Sequence, residues 1–181
     1  MSHERIFLGT SGNDGRGVYT ATFDTQTGTL SEPVLAAPLP KASFLCFDGR
    51  NEGRLLAISQ TPGAPTGDVA CFHIDVAQAK LTEVHRASSQ ANGVVHVSAQ
   101  GSCVVVANYM GGSAASFHMD ADGALHPASF HQFNAADHGP DLKRQDHAYA
   151  HAADITLDGG YALINDPVSY THLTLPTIYS V

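Results

Sequence analysis

Three times along this chain an apolar run of strand length ends in an Asp, turns, and restarts at a Leu. The segments are Phe23-Asp24-Thr25-Gln26-Thr27-Gly28-Thr29-Leu30, Ile74-Asp75-Val76-Ala77-Gln78-Ala79-Lys80-Leu81 and Met119-Asp120-Ala121-Asp122-Gly123-Ala124-Leu125. Their leading Asp residues stand 51 and 45 positions apart. Asp accepts local backbone N–H bonds and Gly tolerates positive φ, so this chemistry suits a tight hairpin. A second element recurs as strand, glycine turn and more apolar strand, over Phe44 to Ile58, Val95 to Asn108 and His151 to Asn165. Matching Phe44, His96 and His151 gives spacings of 52 and 55. A period near fifty residues, with about four strands in each unit, predicts an all-β fold built as β-propeller blades. A β-sandwich also supplies short, regularly spaced strands, but it has no reason to repeat one turn chemistry at this period.

The count of units is three and a half. Blades are expected over about 5–42, 43–93 and 94–150, with a stub over 151–167. A closed ring needs about 4–8 blades, so the expected shape is an open arc. After Asp166-Pro167 the character changes, and Val168–Thr177 carries no Asp, Glu, Lys or Arg. Those ten residues are, without a mismatch, one reading frame of the transposase adapter used in tagmentation libraries. Ile178–Val181 fit the sample index and the codon before the adapter's stop. Residues 168–181 are therefore expected to be a non-native tail that takes no part in the fold.

Composition narrows the partners. Across 181 residues there are 9 Lys and Arg against 17 Asp and Glu, a net charge of −8. That balance argues against a nucleic-acid partner, which requires a basic footprint on phosphate. No basic run suits an anionic membrane surface, and no apolar stretch has the length of a membrane span or of a signal-peptide core. Cys46, Cys71 and Cys103 are odd in number, lack a CxxC pair and sit in apolar runs, so they read as free buried thiols in a reducing cytoplasm.

Several chemical motifs are absent. Gly9-Thr10-Ser11-Gly12-Asn13-Asp14-Gly15-Arg16-Gly17 is glycine-rich but leads into a strand without a Gly-Lys-Ser/Thr, so it reads as a hairpin turn and not as a phosphate loop. No GxSxG elbow occurs. His147 and His151 are four apart on a loop-to-strand junction, not on a helix, while His131 and His138 lie in the same long loop, so no metal site and no cofactor are expected. His151 is the best single candidate for chemistry. It opens the inner strand of the fourth unit, where a propeller lines its central channel, and a neutral His takes up a proton near physiological pH. His96 is expected in the same position one unit earlier. Arg144 and Gln145 are expected to reach the same mouth from their loop, the Arg gripping a phosphate or carboxylate through two parallel bonds. Asn108 and Tyr109 read as packing and turn residues.

Taken in order, Phe7-Leu8-Gly9-Thr10 with Gly17-Val18-Tyr19, then Val106-Ala107-Asn108-Tyr109-Met110-Gly111-Gly112-Ser113, then Asp120-Ala121-Asp122-Gly123-Ala124-Leu125 resemble the seven-bladed propeller lactonases. Gly139-Pro140-Asp141-Leu142-Lys143-Arg144-Gln145-Asp146 followed by Ala150-His151 is similar to that family's long third-blade loop. The family includes propeller-type 6-phosphogluconolactonases and carboxymuconate-lactonizing enzymes. The resemblance spans about 5–166 and implies a chain of roughly twice this length, of which this is the N-terminal part. It implies a small-molecule lactone substrate, with His151 as the catalytic residue, His96, Arg144 and Gln145 on the substrate, and Arg and Glu partners in later blades. The chain departs from the family at Tyr149, where a His is usual, and at Ser59-Gln60, in place of Asn-Glu. Three readings follow: hydrolysis of a sugar lactone, foremost 6-phosphogluconolactone; a carboxymuconate-type cyclase; or a non-catalytic binding propeller.

Overall fold

The computed structural model describes residues 3–12, 14–51, 53–134 and 138–168. Among them there is no helix, and every strand pairing is antiparallel. The first sheet holds β1 (His3–Leu8), β2 (Gly17–Asp24), β3 (Thr29–Leu30) and β4 (Val34–Pro38). The second runs β5 (Leu45–Phe47), β6 (Arg54–Ser59), β7 (Asp68–Asp75) and β8 (Lys80–Ser88) in sequence order. The third repeats that order with β9 (Val94–Gln100), β10 (Cys103–Asn108), β11 (Ser113–Met119) and β12 (Leu125–Gln132). β13 (Ala152–Ile155) and β14 (Ala162–Asn165) form a two-stranded fourth sheet. The sheets follow one another as blades, and the ring is open among the described residues. The tail expected from Val168 onward lies, apart from Val168 itself, outside the described residues.

The two central strands of a blade are buried on both faces, and a period of two deals their side chains to different neighbours. In β6, Leu56 and Ile58 join the core between the second and third sheets, while Leu55 and Ala57 join the core toward the first. In β7, Val69 and Cys71 go one way and Ala70, Phe72 and Ile74 the other. β10 repeats the device, with Val104 and Val106 facing the second sheet and Val105 and Ala107 the fourth. This is why the runs Leu55-Leu56-Ala57-Ile58 and Val104-Val105-Val106-Ala107 are apolar without alternation. Each fully buried Leu, Ile, Val or Phe contributes about 1.5–3 kcal/mol.

The repeated hairpins form as expected. Asp24 Oδ1 accepts the Gln26 N–H at 2.8 Å, and Asp75 Oδ1 accepts the Gln78 N–H at 2.9 Å. Each turn then needs one left-handed residue, supplied by Gly28 (φ 71°), Ala79 (φ 56°) and Gly123 (φ 95°). Ala79 takes that conformation at a cost of about 1 kcal/mol relative to Gly.

The first sheet departs from the four-strand unit. β3 and β4 both pair with β2, so the sheet has three rows, and β1 corresponds to β6 and β10. No strand lies on the inner side of β1 among the described residues. The outer row breaks at Ser31-Glu32-Pro33, where Pro33 has no N–H to give. There Ser31 Oγ stands in for a backbone acceptor by taking the Thr22 N–H at 2.9 Å.

Side chains tie the second sheet to the third. Arg50 Nη2 donates to the Met119 carbonyl at 3.1 Å, Arg54 Nη2 to that of Ala121, and His85 Nδ1 accepts the Leu125 N–H at 3.1 Å. Both guanidinium groups face the buried Asp48 carboxylate, at 3.5 and 3.6 Å. All three cysteines are free thiols, and burial pushes Cys46 up to about 12 and Cys71 up to about 11.

Candidate active site

β5, β9 and β13 stand side by side along the inner edge of the blades. Their starting ends lie with the finishing ends of β6, β10 and β14, because each pair is antiparallel. This upper end gathers the turn 109–112, the described loop residues 138–150 and His151. Two glycine positions allow close approach here, Gly112 between the turn and the long loop and Gly93 between the start of β9 and the turn. Gly112 is left-handed (φ 53°), and a Cβ there would stand 2.5 Å from the Ala148 carbonyl oxygen. Gly93 is left-handed (φ 70°), and its Cβ would meet the Met110 backbone nitrogen at 2.8 Å. A side chain at either position would force the loops apart.

His151 lies just before β13, and its backbone N–H donates to the Asn165 carbonyl at 2.8 Å, continuing the β13–β14 ladder. Its side chain is exposed. Neither ring nitrogen has a hydrogen-bond partner among the described residues; the imidazole meets the ring of Tyr109 edge-on, with centroids 5.4 Å apart and planes at 88°. Tyr109 packs in turn on Tyr149 at 4.7 Å, and Tyr149 on His147 at 4.0 Å. Asp146 holds the far end of this row. Its Oδ1 accepts the Tyr149 hydroxyl at 2.8 Å and lies 3.1 Å from His147 Nδ1. The Tyr149 bond holds the Asp146 carboxyl below its usual range and raises the Tyr149 phenol. Tyr109, expected as a turn residue, thus stands beside the candidate base. No sequence spacing signals this, because the contact needs the third and fourth blades in register.

His96 is not the counterpart of His151. It pairs with Ala107 and so is level with Ala153, which pairs with Ile164, two positions past His151. A β-bulge at Val95 separates the Ala107 and Asn108 pairings. His96 Nδ1 accepts the Ala153 N–H at 3.3 Å and its ring lies 4.0 Å from Phe44. Burial pushes its imidazole below the ordinary value. Its visible task is to join the inner strands of neighbouring blades.

Arg144 is exposed and forms no ion pair among the described residues. Gln145 is turned into its own loop, with Oε1 accepting the Asp141 N–H at 2.9 Å. Asn108 is buried, donating to the Ser89 carbonyl at 2.9 Å and the Ser113 hydroxyl at 3.2 Å, as a packing residue should. The upper-end loops carry Arg16, Lys41, Lys143 and Arg144, none of them ion-paired among the described residues. The nearby acids are engaged locally. Asp141 accepts the Lys143 N–H, Asp146 holds Tyr149, and Asp166 Oδ1 accepts the N–H groups of Tyr149 and Val168. The end of the molecule that carries His151 thus holds four cations that form no ion pair among the described residues, alongside the carboxylates of Asp14, Asp141, Asp146 and Asp166.

A family model described as lactonase, seven-bladed β-propeller, matches residues 5–167. A 6-phosphogluconolactonase of Bacillus subtilis strain 168 is 30% identical over 164 residues, which is 88% of this chain and 45% of that protein. Solved structures of candidate 6-phosphogluconolactonases from Bacteroides fragilis and Bacteroides uniformis both superpose with a TM-score of 0.81. They are 26% and 27% identical, covering 91% and 92% of this chain and 46% and 48% of those proteins. The chain spans about half the length of the relatives it matches. With three blades, a fourth begun, and a match across nearly all its length, the chain belongs to the seven-bladed β-propeller lactonase family.

Proposed function

We propose that this chain supplies the first half of the active site of a lactone hydrolase, acting on a sugar lactone and foremost on 6-phosphogluconolactone. The observation that carries the reading is His151, exposed at the upper end of the inner strands, with both ring nitrogens unpartnered among the described residues and a loop bearing Lys143 and Arg144 beside it. His151 takes a proton from water as the water oxygen bonds to the lactone carbonyl carbon. The ring C–O bond then breaks, and the imidazolium returns the proton to the leaving alkoxide, giving the open hydroxy acid. Arg144 grips the substrate phosphate, its exposed guanidinium without an ion-pair partner among the described residues supporting an anionic substrate. His96, with one nitrogen already accepting the Ala153 N–H, lines the site from below, and Gln145 shapes the loop that presents Arg144.

The remaining blades of the full-length protein complete the site. Residues 168–181 are foreign to it, a reading supported by the adapter match and tested by sequencing the gene on long reads. A cytoplasmic location is supported by three unpaired thiols; among the described residues no helix is long and apolar enough to cross a membrane.

The test is lactone hydrolysis by the full-length protein, followed as acid release at neutral pH and corrected for spontaneous opening. His151→Ala is expected to lower kcat about 10²–10⁴-fold with the melting temperature unchanged. Arg144→Ala is expected mainly to raise KM. Hydrolysis by His151→Ala at the parent rate overturns the assignment.

A further inference from the structure

We propose that Tyr109 is the positioning residue of His151, and that Asp146, through Tyr149, braces Tyr109 in turn. The inference rests on the reading of His151 as the base, and it adds what aims that base. An imidazole on a loop-to-strand junction is ordinarily aimed by a hydrogen bond that one of its ring N–H groups donates, most often to a carboxylate or carbonyl. Here neither nitrogen of His151 has such a partner among the described residues, and the side chain is exposed. The one ring contact it makes among the described residues is with Tyr109, with planes near perpendicular and centroids 5.4 Å apart.

Near-perpendicular ring pairs of this kind are favoured beyond the area they bury, which favours one rotamer over its neighbours. Unlike a carboxylate, an aromatic edge fixes the ring while leaving both nitrogens for substrate and water.

The geometry behind Tyr109 is that of a supported part. Its chain position follows Asn108, whose buried amide is bonded to Ser89 and Ser113, so the backbone that launches the ring is fixed. Its ring also packs on Tyr149, with centroids 4.7 Å apart. Tyr149 is pinned at its hydroxyl by Asp146 and at its backbone N–H by Asp166 Oδ1, at 2.8 and 3.1 Å. His147 completes the row and reaches the Met110 carbonyl through Nε2 at 3.3 Å. The row therefore couples the 109–112 turn to the long loop, and the loop to the aim of His151. Supporting shells of this kind hold catalytic groups within about half an ångström of the productive geometry.

The experiment has two arms on the full-length protein. In the first, histidine and tyrosine rings are isotopically labelled, and the His151 signal is assigned by its loss in His151→Ala. A nuclear Overhauser contact between the His151 and Tyr109 rings is expected in the parent, and between His151 and the labelled Phe ring at position 109 in Tyr109→Phe; its absence in the parent overturns the proposal. This arm needs no lactone activity, so it stands or falls apart from the hydrolase reading. In the second arm, Tyr109→Ala is expected to lower kcat about 10–10²-fold, the scale of a misplaced catalytic group, with KM nearly unchanged. Tyr109→Phe is expected to restore the parent rate, because the ring and not the hydroxyl makes the contact. Asp146→Asn, at the far end of the row, is expected to lower kcat a few-fold, and it carries the test if Tyr109→Ala does not fold. Loss of activity in Tyr109→Phe equal to that in Tyr109→Ala, or a change confined to KM, overturns the proposal.

Discussion

The interface between the second and third blades and that between the third and fourth share the strand β10, yet they are filled to different depths. On one side Leu56, Ile58, Val69 and Cys71 meet Val104, Val106, Phe117, Met119 and Leu125, and each is at most 1% exposed. On the other side Val105, Ala107, Ala150 and Ala153 are buried, but Cys103, Ile155, Ala162 and Ile164 are only partly so. A cavity of about 60 Å³ remains there, lined in part by Val105, Ala114, Ser116, His131 and Ile164. The two faces of β10 are equally apolar in sequence. The difference lies in the neighbour: a four-row blade covers the whole of the second–third interface, and a two-row blade covers only the inner half of the third–fourth. Burial is a property of the pair of sheets, not of the strand that enters it.

The comparison predicts an asymmetric response to truncation, read by urea unfolding of the chain. Phe117→Ala, in the filled interface, is expected to cost about 3–5 kcal/mol, since a close-packed site relaxes little around a hole. A loss below about 1 kcal/mol breaks the comparison. Ile164→Ala, beside the cavity, is expected to cost about 1 kcal/mol, because its side chain already borders empty space and solvent. Equal losses at the two positions show that the third–fourth interface is as tightly packed as its neighbour.

The smallest effect concerns pH. His96 bridges the inner strands of the third and fourth blades and has its imidazole pushed down by burial. A group depressed in the fold binds its proton more readily when unfolded, so the fold gains stability as pH rises through the window between the folded value and the ordinary value near 6.5. Above that window the contribution is complete, and it is lost as pH falls. Melting temperature against pH is expected to show a shallow acid limb below about 6.5 that flattens in His96→Asn. An unchanged limb in that variant removes His96 as its source.

Much of the architecture is legible in the residues. The Asp-to-Leu hairpins repeat because one turn chemistry serves each blade, and β6 and β10 read as doubly buried strands because their apolar runs do not alternate. The three-row first blade was not legible, since the missing row is a matter of what pairs with β1 and not of any residue in it. The match of His96 to His151 fails by two positions: His96 is level with Ala153, so the residue types agree and the strand register does not. Tyr109 is a packed turn residue, as expected, but its partners were not legible. Its neighbours Gly111 and Gly112 declare a turn, but nothing local declares which blade's loop closes over it. Arg50, Arg54 and the buried Asp48 likewise gave no local sign that they would clasp the next blade's hairpin.

The inner side of β1 leaves its backbone donors and acceptors without a strand among the described residues. The residues along it divide in two. His3, Glu4 and Arg5 carry the polar and charged side chains that discourage another chain from adding itself to an edge, while Ile6, Phe7 and Leu8 carry none. Self-association of the isolated chain is therefore expected to begin at the Ile6–Leu8 half. It should depend steeply on concentration, and a single lysine at Ile6 is the least invasive way to keep solutions of this chain clear.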